Sequence, residues 1–87
     1  MLMTNNSLYD EVVAITYGYL GPAADRFVVR QIRNHLQKDP HELKHQDLKR
    51  LTDWICLAMR LISNDTAVID HYMADLQALA RHKKPAR

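Results

Sequence analysis

The spacing of apolar residues constrains this chain more than any other feature of its sequence. In the segment 66–81 apolar side chains recur every three or four residues, and the segments 8–19, 22–37 and 46–62 repeat the pattern. This period places the apolar side chains on one face of an α-helix. The strongest stripe consists of Ile69, Tyr72, Met73, Leu76, Leu79 and Ala80. The sequence therefore predicts four amphipathic helices.

Short breaks separate these four segments. Gly21 permits the left-handed backbone that ends a helix, and Pro22 suits the first turn of the next helix. In the second break Asp39 is the expected N-cap, with Glu42 at the capping-box position, and we expect Leu43 to reach the core. Connections this short predict an all-α fold, a small four-helix bundle in which helices 3 and 4 form an antiparallel hairpin.

The length of 87 residues allows a single helical domain, residues 1–87, with one core. We expect the ordered core to span residues 6–82 and the basic C-terminal tail, 83–87, to be frayed. Because a domain of this size is only marginally stable on its own, a homodimer is a further expectation.

Cysteine usage and hydropathy indicate where such a chain resides. The single cysteine, Cys56, excludes an intramolecular disulfide and fits a reducing compartment. The N-terminal sequence MLMTNNSLYDEVV lacks the basic and apolar regions of a signal peptide. No apolar run approaches the ~20 residues that a membrane span needs. We therefore predict a cytoplasmic protein without a membrane segment.

Charge is distributed unevenly along the chain. Residues 1–25 carry a net charge of −3, residues 26–60 carry +4, residues 61–80 carry −3 and residues 81–87 carry +4, which together give the net +2. Acidic and basic segments of this kind attract each other within one fold or in a head-to-tail dimer.

Three arginines are the strongest candidates for a binding surface. Arg26, Arg30 and Arg33 lie at positions i, i+4 and i+7, so they share one helical face. Guanidinium groups in a row suit bidentate binding of carboxylates or phosphates. A solvated face paired with Asp25 and Glu42 explains the same pattern, and the sequence leaves both interpretations open.

Two further features suggest binding surfaces. Tyr17 lies off the apolar stripe of the first helix, and an aromatic ring with a polar tip suits an interface, although ordinary half-buried packing explains it as well. The basic tail, with Arg81, Lys83 and Lys84, suits contacts to nucleic-acid phosphates, but it lacks a recognition helix and also serves solubility.

No residue pattern predicts catalysis. His41, His45 and Asp47 have a spacing known from metal sites, but the proline before them makes a shared helix doubtful. Cys56 lies among apolar residues, whereas a catalytic thiolate needs an electropositive, accessible setting. We therefore predict no enzyme activity, no metal site and no cofactor.

The segment Tyr19-Leu20-Gly21-Pro22-Ala23-Ala24, followed by Phe27, Val28 and Val29, carries a resemblance to a known family. It resembles the YxGPxA opening of small helical accessory modules at the ends of bacterial signalling proteins, such as serine/threonine kinases and nucleotide cyclases. The resemblance covers about twenty residues. It implies a bacterial, non-catalytic helical domain, and it assigns no functional residue beyond the structural Gly21-Pro22 junction.

These observations favour a non-catalytic protein–protein interaction module, a bacterial adaptor or regulatory protein that binds an acidic partner surface. The partner-binding residues would be Arg26, Arg30, Arg33 and Tyr17. The alternative is a small dimeric nucleic-acid-binding regulator that uses the second helix and the basic tail, and we rank it behind a protein partner.

Overall fold

The structure is a computed structural model that describes residues 8–81. This part of the chain is all-helical. Four α-helical segments follow one another: α1 (Leu8–Leu20), α2 (Ala24–Gln31), α3 (Leu48–Ile62) and α4 (Thr66–Arg81). Three of them are long, with 13, 15 and 16 residues, whereas α2 has only 8. Residues 8–81 contain no strand, so the predicted all-α class is confirmed.

A sharp junction joins α1 to α2. A 3₁₀ turn, Gly21–Ala23, follows α1 directly, and Gly21 has a φ of +64°. This left-handed conformation costs an L-residue about 1–2 kcal/mol but is open to glycine. The predicted left-handed helix end at Gly21 is confirmed, and the turn brings α2 into contact with α1.

The second predicted helix, 22–37, is present but is not uniform. Its α-helical part is α2, and a π-helical turn, Ile32–Leu36, continues it. Gln37 then ends the helical run with φ 54° and ψ 44°, a left-handed conformation that glycine more often supplies.

Two 3₁₀ turns, Pro40–Glu42 and His45–Asp47, connect this run to α3. The first has the predicted capping box: Asp39 Oδ1 accepts from the His41 backbone N–H at 2.9 Å, and Glu42 Oε1 accepts from the Asp39 N–H at 3.4 Å. Leu43, 7% exposed, is buried in the core as predicted.

Asp47 connects the second turn to Lys38 and Lys44 by hydrogen bonds. Its Oδ2 accepts hydrogen bonds from Lys38 Nζ at 2.8 Å and from the Lys44 backbone N–H at 3.0 Å. Burial opposes ionisation of this carboxyl, but the two hydrogen bonds outweigh burial and lower the pKa of Asp47. The charged carboxylate therefore holds the connector against the start of α3.

The helices contact one another in a closed order. α3 contacts α4 and α2, and α1 contacts α2 and α4. Since only residues 63–65 separate α3 from α4, these neighbours run antiparallel. A regular four-helix bundle is not established, because α2 is a short segment between a 3₁₀ turn and a π turn. The buried apolar core consists of Val12, Ala24, Val28, Ile32, Leu43, Leu48, Leu51, Ile55, Met59, Ile69, Tyr72, Met73 and Leu76.

The C-terminal half of α3 departs from the prediction. Ile62 continues the three-and-four residue spacing of Leu48, Leu51 and Ile55, which predicts that it is buried, but Ile62 is 60% exposed and its neighbour Leu61 is 86% exposed. Leu57 is also exposed, whereas Leu48 and Ile55 in the same helix are buried. The end of α3 therefore presents apolar surface to solvent, where the helix periodicity predicted core.

The structure does not test the predictions made for the two ends of the chain. The predicted core limits, 6 and 82, and the predicted frayed tail, 83–87, lie outside the described residues. Among residues 8–81 no helix has the length and apolar character needed to cross a membrane.

Candidate partner-binding cleft

Arg26 and Arg30 border a cleft between α2 and α3. Both side chains are exposed and lie one helical turn apart on α2. The cleft has a volume of about 330 Å³, at the lower end of the ~300–1,000 Å³ range of small-molecule sites. Its lining consists of Ala23, Arg26, Phe27, Arg30, Gln31, Ala58, Leu61 and Ile62.

The cleft is apolar apart from the two arginines and a glutamine. Phe27 and Ala58 are half-buried and lie between the helices, and Leu61 and Ile62 form the open α3 side. Surface leucines and isoleucines that lie together in this way mark interaction surfaces more often than single exposed apolar residues do. Because Leu61 is almost fully exposed, the cleft does not enclose a small molecule and suits the side chains of a docked protein.

The arginines have no acidic partner inside the described fold. Within residues 8–81 none of Arg26, Arg30 and Arg33 makes a hydrogen bond or an ion pair. The two acids that sequence reasoning offered as partners are engaged elsewhere: Asp25 accepts a hydrogen bond from the Tyr9 hydroxyl, and Glu42 belongs to the capping box. Intramolecular pairing with these acids therefore does not explain the arginine face.

Gln31 contributes an unpaired polar atom to the cleft. The residue is 7% exposed, and its side-chain Oε1 is buried without a hydrogen-bond partner among the described residues. A buried acceptor of this kind costs about 1–3 kcal/mol if it stays unpaired. Because this oxygen is itself buried, a ligand in the cleft can donate a hydrogen bond to it only when the Gln31 side chain rotates outward.

A stacked ring pair lies one helical turn beyond the cleft. The rings of His35 and Trp54 lie parallel, with a 3.8 Å centroid distance and a 7° interplanar angle. His35 follows Gln31 by four residues, and Trp54 precedes Ala58 by four. The stack is therefore one turn beyond the lining residues on both helices, which run in opposite directions at this point.

The structure brings together two of the four predicted partner-binding residues. Arg33 is exposed but is not among the residues that line the cleft. Tyr17 is 57% exposed, as its position off the apolar stripe suggested, but it lies on α1 and also does not line the cleft. The site is therefore narrower than the predicted arginine face.

The residues of the alternative, nucleic-acid hypothesis lie elsewhere. Arg81 is exposed at the end of α4, where it lines two shallow recesses that also contain the acids Asp53 and Asp75. Lys83 and Lys84 lie outside the described residues. Arg81 thus shares its recesses with acids, whereas the lining of the cleft beside Arg26 and Arg30 contains none.

The residues considered for metal binding have separate contacts. The His41 ring packs edge-on against Tyr9, His45 Nε2 lies 3.1 Å from the Leu79 carbonyl oxygen, and Asp47 binds Lys38. No cluster of three or more potential metal ligands occurs within residues 8–81. Cys56 is half-buried and is a free cysteine.

A second polar cluster joins α1 to α4 and serves packing. The hydroxyls of Thr16 and Tyr72, both 0% exposed, are 2.5 Å apart, and Thr16 donates to the Val12 carbonyl. Tyr19 stacks on Tyr72 at 4.8 Å and donates to Asp75 Oδ2 at 2.5 Å. This bond to the carboxylate, with burial, raises the pKa of Tyr19, so both rings remain neutral at physiological pH.

Sequence reasoning missed the apolar half of the site. Ile62 follows the period of the buried stripe of α3 and Leu61 lies beside it, and nothing in the sequence shows that this end of α3 is exposed. Gln31 was also missed, because a polar residue between two arginines gives no sign of burial. The available signal in the sequence was the pair of large apolar residues, Leu61 and Ile62, directly before the polar break at residues 63–65.

Comparison with known protein families, with curated proteins and with solved structures finds no match for this chain.

Proposed function

We infer that this chain is a small four-helix bundle that acts as a non-catalytic protein–protein interaction module and binds an acidic partner through the cleft between α2 and α3. One observation carries the proposal. Arg26 and Arg30, without acidic partners inside residues 8–81, border the exposed Leu61 and Ile62.

The physical chemistry of the cleft favours a carboxylate-bearing protein surface. An arginine that lacks an internal counter-ion gains from bidentate hydrogen bonds to a carboxylate, and these bonds strengthen when the partner excludes water. The neighbouring leucine and isoleucine contribute apolar area to the same interface. Aromatic and arginine side chains around an apolar centre are typical of protein interfaces.

The cellular setting is a proposal on separate grounds. The role as a bacterial adaptor or regulator rests on the resemblance of the Tyr19–Ala24 segment to accessory modules of signalling proteins. The cytoplasmic location rests on the single cysteine, Cys56, which excludes an intramolecular disulfide and fits a reducing compartment.

The proposal is tested by quantitative partner capture with charge-reversed variants. The double substitution Arg26→Glu and Arg30→Glu should remove the proteins that the wild-type chain retains from a lysate of its source organism. Arg60→Glu is the matched control, because Arg60 is an exposed arginine of α3 that does not line the cleft. Circular dichroism checks that each variant keeps its helices.

The two arms of this test separate a specific cleft from general basicity. Capture that is lost in the double variant and kept in Arg60→Glu supports the cleft. Capture that survives the double variant contradicts the proposal. Because Arg60→Glu changes the net charge by half as much as the double substitution, a loss of capture in that same ratio indicates attraction by net charge alone.

Nucleic-acid binding is the second candidate, and it rests on Arg81 with the basic tail and on the basic face of α2. It predicts binding to duplex DNA that weakens steeply with salt, because each phosphate contact releases counterions. A gel shift at low salt with the wild-type chain and with Arg81→Glu measures this. The absence of a shifted band at low salt would end the hypothesis.

A further inference from the structure

We propose that the cleft between α2 and α3 holds an amphipathic α-helix of another protein, with two carboxylates one turn apart that pair with Arg26 and Arg30. This inference rests on the proposed function and specifies the shape and chemical pattern of the partner. It names a helix, where the proposed function requires only an acidic surface.

The walls of the cleft favour a helical ligand over an extended one. An extended peptide gains affinity by adding a strand to an open sheet edge, and residues 8–81 contain no strand that could accept one. The cleft instead runs between two antiparallel helices, along residues 23–31 on one side and 58–62 on the other. Nine residues of helix rise over about 13 Å, so this groove matches two to three turns of a docked helix.

The two arginines set the spacing of the carboxylates. Side chains at i and i+4 on a helix have Cβ atoms about 5–6 Å apart. A second helix that lies along α2 presents its own i and i+4 side chains at the same interval. Two Asp or Glu residues one turn apart therefore meet Arg26 and Arg30 together, while the apolar side chains between them contact Phe27 and Leu61.

Gln31 supplies a specific polar contact. Gln31 lines the cleft, and its buried Oε1 has no partner among the described residues. When the side chain rotates so that Oε1 reaches the cleft surface, a hydroxyl or amide N–H of the docked helix can donate to it. The atom gives the partner a hydrogen-bond donor position beside the apolar contact.

The carboxylates of this chain are poorly suited to fill the cleft of a second copy. Seven of its acidic residues have interactions within their own fold: Asp10, Asp25, Asp39, Glu42, Asp47, Asp65 and Asp75. Within residues 8–81 Glu11, Asp53 and Asp70 remain without such contacts, and they lie on three different helices. No helix of this chain therefore offers two unengaged carboxylates one turn apart, so the occupant is a different protein.

The experiment uses two displayed peptide libraries and the full chain. One library presents helical peptides that are randomised on one face and contain no tryptophan. The other presents proline-containing, extended peptides of the same average composition. Both are selected on the wild-type chain and counter-selected on the Arg26→Glu, Arg30→Glu variant. Enriched peptides are then titrated while the fluorescence of Trp54 is recorded, because this single tryptophan lies one helical turn beyond the cleft lining.

We expect helical peptides to be enriched, with Asp or Glu at i and i+4 and a large apolar residue between them. Their affinity should fall on the order of tenfold or more in the double variant, because each charge-assisted hydrogen bond is lost. It should fall about fivefold in Gln31→Met, which removes the acceptor and keeps an apolar side chain of similar length. Arg33→Glu and Arg60→Glu should bind the same peptides nearly as well as the wild type.

The remaining outcomes overturn the inference in distinguishable ways. Enrichment of extended acidic peptides that the double variant rejects would reject the helical ligand but leave the proposed function standing. Enriched helices without paired acids, or with affinities that the double variant leaves unchanged, would reject both. A failure of both libraries to yield any binder would also count against both. A light-scattering shift to a dimer that is lost in Leu61→Glu would assign the cleft to a second copy.

Discussion

At the scale of single residues, the stability of the helical core depends on whether its buried polar atoms have hydrogen-bond partners. Tyr72 is fully buried, yet its hydroxyl has a partner in Thr16, which in turn donates to the Val12 carbonyl. This chain of hydrogen bonds satisfies each hydroxyl without any contact to solvent. Gln31, by contrast, is buried with an oxygen that the described fold leaves unpaired. The first arrangement stabilises the packing of α1 on α4, and the second lowers the stability of the free protein.

The buried Tyr72 should make the stability of the protein sensitive to alkaline pH. Burial raises the pKa of Tyr72 from 10.0 to about 12, although the bond to Thr16 favours the charged form. The neutral phenol therefore contributes its full stabilisation below pH 10, and this contribution, roughly 2–3 kcal/mol, is lost as pH rises from 10 through 12. Urea unfolding at several pH values measures the loss.

The matched variants for this prediction are Tyr72→Phe and Tyr17→Phe. Tyr72→Phe should lower the free energy of unfolding at pH 7 by about 1 kcal/mol, since Thr16 loses a partner, and should flatten the decline above pH 10. Tyr17→Phe alters an exposed ring and should leave the wild-type profile unchanged. A decline of equal steepness in Tyr72→Phe would mean that other groups cause it.

Replacing Gln31 should raise stability while it weakens binding. Gln31→Met removes an unpaired buried oxygen and keeps most of the side-chain volume, so we expect the free energy of unfolding to increase by about 1 kcal/mol. Urea denaturation of the two chains measures the difference. A loss of stability above 1 kcal/mol would show that Gln31 Oε1 has a partner in the free protein.

At the scale of helices, backbone conformation at two helix ends sets how the segments meet. Gly21 and Gln37 both have positive φ, and each ends a helical run where the chain changes direction. Glycine accepts this conformation without strain, whereas glutamine does not. The two ends of the α2 region thus differ in cost although they have the same geometry.

Gln37→Gly should stabilise the protein. The change removes the strain of an L-residue in the left-handed conformation, which stabilises the fold by about 1–2 kcal/mol. The greater freedom of glycine in the unfolded chain destabilises the fold by about 0.5–1 kcal/mol. Gln37 is exposed, so no core contact is lost, and we expect a net gain of about 0.5–1 kcal/mol in thermal or urea unfolding. Gln77→Gly, at an exposed position inside α4, is the control and should destabilise by about 1 kcal/mol. Equal effects of the two substitutions would contradict a role for the positive φ at Gln37.

At the scale of the whole molecule, the described fold closes a core and leaves one apolar edge open. Buried residues from all four helices form the core. Leu57, Leu61 and Ile62 remain exposed along the C-terminal half of α3. A partner would therefore bind a folded chain rather than complete an unfinished core.

The isolated chain should be monomeric. Light scattering after size exclusion should give a mass near 10.1 kDa at low and at moderate salt, since no second copy offers paired carboxylates to the cleft. Leu61→Glu should leave this mass unchanged and should weaken peptide binding. A stable dimer that dissociates in Leu61→Glu would assign the apolar edge of α3 to self-association and would restore the dimer expected from the chain length.

The sequence by itself determined the helices, because their causes are local. The period of apolar residues predicted the four segments, Gly21-Pro22 predicted the first junction, and Asp39 with Glu42 predicted the capping box, since each depends on neighbours within a few residues. It also placed Arg26 and Arg30 on one face of a helix. Only the tertiary structure decided what lies opposite them. Exposure of Ile62 and burial of Gln31 depend on how far α2 and α4 cover α3. Helix period fixes which face a residue occupies, but the lengths and contacts of neighbouring helices decide which part of that face is covered.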